Sequence, residues 1–255
     1  MGGALLAGWL DQGTRPDDLM VVDPHYDAVA GPTGIRSFSS ADALPGEFSP
    51  EVVLLAVKPQ VMDEVLPPYA RFTKAVFLSI AAGRTMASLQ RYLGATAAIV
   101  RAMPNTPAAV RRGATGLIAN ANASKSQKEL CDHLVSAVGQ AVWVEDESQL
   151  DAVTALSGSG PAYVFLLVEA LTAAGEQLGL PAEVAETLAR ATVSGSGELL
   201  RQSPLTAATL RQNVTSPNGT TFAALQVLMK EDGGLAELMR RATEAAARRA
   251  RELAG

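Results

Sequence analysis

The chain has one cysteine, Cys131, and two histidines, His25 and His133. A lone thiol excludes a disulfide framework and a cysteine zinc site within one chain. So few imidazoles also argue against a His-rich centre, and no metal is expected. The net charge of −5 gives no electrostatic case for nucleic acid. No uninterrupted apolar run reaches the roughly 20 residues of a spanning helix, so no membrane partner is expected. Met1–Leu10 carries no Lys or Arg ahead of its apolar stretch, unlike a secretory signal. A cytoplasmic location is the expectation.

Hydrophobic residues make up 48% of the 255, charged residues only 18%, and alanine is frequent. That balance suits closely packed helices with broad buried interfaces, and so an oligomer. The basic residues Arg240, Arg241, Arg248, Arg249 and Arg251 are interleaved with Glu237, Glu244 and Glu252. This pattern reads as the solvated face of one helix rather than a binding patch.

The first half alternates two kinds of segment. Apolar runs at Leu19–Val22, Val52–Val57, Ala75–Ile80, Ala97–Met103, Ala114–Ala119 and Ala141–Val144 read as strands. Gly3–Leu10, Val61–Tyr69, Thr85–Leu93 and Ser124–Val138 read as helices. Near-continuous apolar strands alternating with helices indicate a parallel sheet covered on both faces. After about Glu145 the strand signals stop. Pro161–Leu178 and Pro181–Leu200 carry apolar stripes at helical spacing, and Thr206, Thr221 and Gly234 sit near further helix starts. The predicted fold is α/β, a Rossmann-like sheet domain over 1–146 followed by an all-helical domain over 147–255.

A dinucleotide-binding fold opens with a strand, then G-x-G-x-x-G, then a helix. This chain opens directly on Met1-Gly2-Gly3-Ala4-Leu5-Leu6. Gly2 or Gly3 fits the last glycine of such a fingerprint, and Asp23 fits the acid that contacts the ribose about 20 residues later. The first strand is therefore expected ahead of Met1, with Met1 an internal methionine; a short, inactive protein is the other reading.

Three loops follow strands, where an open sheet binds ligands. Ala56-Val57-Lys58-Pro59 offers a cation to a cofactor, or simply a surface lysine in a turn. Ser79-Ile80-Ala81-Ala82-Gly83 has small residues that permit close backbone approach. Met103-Pro104-Asn105-Thr106-Pro107 is stiffened by two prolines around a polar pair. In the helical half, Thr154-Ala155-Leu156-Ser157-Gly158-Ser159-Gly160-Pro161 interrupts an apolar pattern. It is expected to break the helix and free backbone N–H groups. Asn213-Val214-Thr215-Ser216-Pro217-Asn218-Gly219-Thr220-Thr221 opens a helix whose N-terminus favours a carboxylate, unless Thr220 or Thr221 merely caps it.

Taken together, Val153–Tyr163, Asn213–Thr221, Leu55–Gln60, Ser79–Gly83 and Met103–Pro107 resemble pyrroline-5-carboxylate reductase in order and spacing. Gly2–Trp9 is similar to the helix after that family's fingerprint. The resemblance spans essentially the whole chain. It implies reduction of (S)-1-pyrroline-5-carboxylate to L-proline with NADPH or NADH. It also implies a helical dimerisation domain, with dimers often assembled into larger rings. By resemblance, Gly2, Asp23, Ala56, Val57, Lys58, Pro59, Ala81, Ala82, Asn105 and Asn213 serve the cofactor. Glu147, Ser216, Gly219, Thr220 and Thr221 serve the substrate, and Thr154 matches the threonine at the ring nitrogen.

There are departures. The fingerprint strand and its first two glycines are absent. The second glycine of the family's S-P-G-G segment is Asn218, a residue that tolerates left-handed backbone. An Asn that often precedes the Leu55–Gln60 strand in the family is not evident around Ser40–Ala43. Two rival readings are a β-hydroxy-acid dehydrogenase and a non-catalytic dimerising remnant. The first needs a helical-domain lysine, and Pro161–Leu178 has none.

Overall fold

The computed structural model describes residues 1–26 and 34–254. It forms two compact units: Met1–Gly158 together with the chain end from Ala247, and Ser159–Ala246.

The first unit contains α1 (Gly2–Asp11), β1 (Met20–Val22), β2 (Arg36–Phe38), β3 (Val52–Leu55), α2 (Met62–Val65), β4 (Val76–Ser79), α3 (Met86–Leu93), β5 (Ala98–Met103), β6 (Gly113–Ala119), α4 (Lys125–Ser136), β7 (Gly139–Trp143) and α5 (Gln149–Val153). Strands β3 to β7 form one sheet in sequence order, and β1 and β2 form a separate parallel pair. No residue of β4 is exposed: Val76, Phe77, Leu78 and Ser79 are 0%, 1%, 0% and 1% accessible. Alternate residues of β4 and β5 supply two cores. Phe77 and Ile99 pack with Leu66, Tyr69, Phe72, Met86 and Leu89 on one face. Val76, Leu78, Val100 and Ala102 pack with Cys131 and Val135 of α4 on the other. A period of two in the side chains thus becomes a sheet covered on both sides.

Local chemistry explains the helix boundaries. Thr85 caps α3 by accepting from the Ser88 N–H at 3.1 Å. Ser124 and Gln127 form a reciprocal capping box at the start of α4. The expected helix over Val61–Tyr69 is instead the four-residue α2 between two 3₁₀ turns, because Pro67 and Pro68 cannot continue an α-helix.

The sheet is parallel, as expected, except at one strand pair. β5 and β6 run antiparallel, while β3–β4, β4–β5 and β6–β7 are parallel. Only a 3₁₀ turn, Thr106–Val110, joins β5 to β6. A parallel crossover needs a dozen or more residues, and an antiparallel return does not. The short β2, Arg-Ser-Phe, has no apolar run and gave no strand signal.

The first unit also runs past the expected division at 146, because Leu150 of α5 is buried in the sheet core and Val153 packs against it. The expected break at Ser157–Pro161 is absent as well. A π-turn, Thr154–Gly158, carries α5 into α6 (Gly160–Gln177), so that helix is continuous over Gln149–Gln177. Pro161 is accepted in the first turn of α6, where its missing N–H is least needed.

The second unit holds α6, α7 (Ala182–Gln202), α8 (Ala207–Asn213), α9 (Thr220–Leu228) and most of α10 (Leu235–Ala254). Phe165, Leu166 and Leu188 are 61%, 62% and 52% exposed. Along α10, Arg240 pairs with Glu244 at 2.9 Å and Arg249 with Glu252 at 2.8 Å. The interleaved charges are thus a solvated helix face.

Cys131 lies in the apolar core under the sheet, and burial pushes its thiol up to about 12. Only the thiolate is nucleophilic. Iodoacetamide at pH 8 should therefore leave the native protein unlabelled and modify one thiol after denaturation. Rapid labelling of the native protein would contradict this placement.

Candidate active site

β3, β4 and β5 are neighbours and parallel, so their carboxyl ends share one edge. The three loops singled out in the sequence leave from that edge. After β3, Ala56 and Lys58 are exposed and Val57 is half-buried. Pro59 opens a 3₁₀ turn, Pro59–Val61. Gly2, the first residue of α1, abuts this loop. A Cβ on it would lie 3.0 Å from Cβ of Ala56, so the close approach favours glycine. After β4, Ala81 is buried and its N–H donates to Ser79 Oγ at 3.4 Å. Ala82 is exposed, and Gly83 turns the chain at φ +73.

Arg84 was missed in the sequence, where it reads as one more surface cation. Its Nε and Nη2 donate to the Pro59 carbonyl at 3.0 and 2.5 Å, and its Nη1 pairs with Asp63 at 2.8 Å. One guanidinium therefore ties the loop after β4 to the loop after β3. The fork geometry suits this, since several N–H groups point in fixed directions. The only signal was an arginine directly after a small-residue loop.

The end of β5 holds two further polar links. Arg101, only 11% exposed along its side chain, lies on the same face of β5 as Ile99 and Met103. It donates to Glu147 Oε1 at 2.6 Å, and the same oxygen accepts from the Met86 N–H at 2.7 Å. Glu147, expected beside the substrate, thus neutralises a partly buried cation and receives a free N–H of α3. The side chain of Asn105 is engaged at both ends. Its Oδ1 accepts from the Ala114 N–H at 2.8 Å and its Nδ2 donates to the Ser157 carbonyl at 3.0 Å. The Thr154–Gly158 turn is thereby held at the loop after β5. Thr154 Oγ1 donates to the Leu150 carbonyl at 2.7 Å, the back-bond open to any helical threonine. Its lone pairs can still accept. Asp23 follows β1, is exposed, and accepts from the His25 N–H at 2.8 Å.

The remaining expected residues lie in the second unit. Asn213 ends α8, and Gly219 is the extended N-cap of α9, so Thr220 and Thr221 are the first helical residues rather than caps. No side chain caps this helix. Ser216 Oγ lies against Gly219, where a Cβ would collide with it. Asn218 adopts φ 59, the left-handed conformation its identity permits.

Comparison with known proteins supplies the family. A family model described as pyrroline-5-carboxylate reductase dimerisation matches residues 147–253. The chain is 44% identical to a pyrroline-5-carboxylate reductase of Pseudomonas aeruginosa over 260 residues, covering 100% of this chain and 93% of that one. The chain belongs to the pyrroline-5-carboxylate reductase family. A solved reductase structure from Coxiella burnetii superposes with a TM-score of 0.92 at 40% identity, covering 99% of this chain and 94% of its own. A Plasmodium falciparum pyrroline carboxylate reductase solved with NADP bound gives 0.82 at 28% identity, covering 100% and 95%. Within this reductase fold, the loops after β3 and β4 belong to the sheet-containing first unit.

Arg84→Met should free those two loops from one another while keeping side-chain bulk. The Kd for NADPH should rise about tenfold, equivalent to ~1.4 kcal/mol. Titration by cofactor fluorescence measures it, and an unchanged Kd would show that the link plays no part in cofactor binding.

Proposed function

We propose that this reductase engages the ring nitrogen of its substrate through Thr154 and the carboxylate through the N-terminus of α9. As a member of its family it reduces (S)-1-pyrroline-5-carboxylate to L-proline, in proline biosynthesis. The nicotinamide cofactor supplies the hydride, which adds to the carbon of the ring C=N bond, while the ring nitrogen keeps its proton as the amine. The residues named here bind and orient; none needs to act as a strong acid or base.

The observation that carries this reading is the hydrogen bond of Thr154. Its hydroxyl proton goes to Leu150, leaving the oxygen as an acceptor. A protonated imine N–H is the donor that matches it, and protonation makes the imine a better hydride acceptor. The substrate carboxylate suits α9: Thr220 and Thr221 present first-turn N–H groups, with Gly219 and the Ser216 hydroxyl adjacent. Asn213, Ala56, Val57, Lys58, Pro59, Ala81 and Ala82 serve the cofactor, with Gly2 against Ala56. Asp23 stands where an acid hydrogen-bonds a ribose 2′-OH and repels a 2′-phosphate. NADH therefore serves at least as well as NADPH.

Gln149–Gln177 meets the length and composition of a bilayer-crossing helix. The dimerisation match gives its exposed Phe165 and Leu166 a different cover, a second copy of the chain. Rings of such dimers are the larger assembly that fits this reading.

Thr154→Val keeps the shape and removes the hydroxyl. kcat should fall by about 10²-fold with little change in cofactor KM, whereas Thr221→Val should mainly raise substrate KM. Parental turnover in Thr154→Val would reduce Thr154 to a structural residue. In the same assay kcat/KM with NADH should equal or exceed that with NADPH; a strong NADPH preference would overturn the role given to Asp23.

A further inference from the structure

We propose that Asn105 is a positioning residue that sets the Thr154–Gly158 turn by occupying a carbonyl which Pro161 leaves open. Within an α-helix the Ser157 carbonyl would accept from the residue four positions on. That residue is Pro161, which has no N–H. The next donor, the Ala162 N–H, turns to Ser159 at 3.0 Å. The Ser157 carbonyl takes its hydrogen from Asn105 Nδ2 instead, at 3.0 Å. The other end of the same amide is committed to the Ala114 N–H at 2.8 Å, at the start of β6.

This geometry differs from that of a cofactor ligand. Both ends of the amide already have protein partners, and the segment carrying it is stiffened by Pro104 and Pro107. A backbone bond from the Ala108 N–H to the Asn105 carbonyl, 3.1 Å, holds it further. The turn it grips fits closely: a Cβ at Gly158 would lie 2.9 Å from Met103 Cε. Thr154 opens that turn, so the position of its hydroxyl depends on the Asn105 link. Displacing a positioned group by about 1 Å can lower a rate 10²-fold. The effect on kcat rests on the role given to Thr154 above; the link itself does not.

The test is a pair of substitutions and their combination. Asn105→Asp keeps the acceptor for the Ala114 N–H and removes the donor to Ser157. Pro161→Ala restores a backbone N–H four residues after Ser157. In the 255-residue protein, Asn105→Asp should lower kcat ten- to a hundredfold with NADPH KM within threefold. Asn105→Asp with Pro161→Ala should recover at least fivefold of that loss, judged against Pro161→Ala alone. Amide hydrogen exchange over residues 150–160 should quicken at least tenfold in Asn105→Asp and slow again in the double variant, a readout independent of turnover. Unchanged exchange, or a double variant no slower in exchange than Asn105→Asp, overturns the proposal. So does a tenfold rise in NADPH KM at parental kcat, which marks a cofactor ligand. If exchange follows this pattern while Thr154→Val turns over at the parental rate, the Asn105 link stands and the chemical role of Thr154 falls.

Discussion

The structure depends on a strand that water does not reach. β4 is buried on both faces along its whole length. Its neighbours β3 and β5 must then be covered as well, by α3 and the proline-rich segment on one side and α4 on the other. Burying apolar strands this way is worth about 25 cal/mol per Å² removed from water. The functional consequence is geometric. Three adjacent parallel strands end together, so loops far apart in sequence are delivered to one edge before any side chain contributes to binding.

Delivery to an edge does not set loop shape, and polar links do that. Arg84 joins the first two loops, Arg101 and Glu147 join β5 to the start of α3, and Asn105 joins β6 to the Thr154–Gly158 turn. Arg84 adds to the Met62 N–H already on the Pro59 carbonyl, while Glu147 and Asn105 take up the Met86 N–H and the Ser157 carbonyl, where an unmade hydrogen bond costs about 1–3 kcal/mol if buried. The π-turn belongs to the same logic. It adds a residue to the helical repeat beginning at Thr154, and such turns are frequent at functional sites.

The helical unit shows the opposite balance. Among its described residues only Ala185, Ala189 and Gly234 are buried, while Phe165 and Leu166 of α6 and Leu188 and Leu199 of α7 are more than half exposed. Apolar surface of this extent marks an interface. That agrees with a family model for dimerisation lying over the same residues.

Much of this was legible in the sequence because it is local. Apolar runs of four to seven residues gave β3 to β7, Ser124 and Thr85 marked helix starts, and Asn218 stood where a left-handed backbone was needed. The ordered motifs from Leu55 to Thr221 pointed to the family. What the sequence did not disclose is non-local. The antiparallel turn of β6 follows from the length of one connection. Arg84 looked like any surface arginine until Pro59, 25 residues away, was placed against it. The links of Glu147 to Arg101 and of Asn105 to Ser157 gave no sequence signal because the partners are 46 and 52 residues distant. Sequence by itself determined where strands, helices and turn-forming residues stand, since backbone preference and hydrophobic period act over a few residues. Only the tertiary structure decided which polar groups meet, because a hydrogen bond depends on ångström distances between segments that the packed sheet alone brings together.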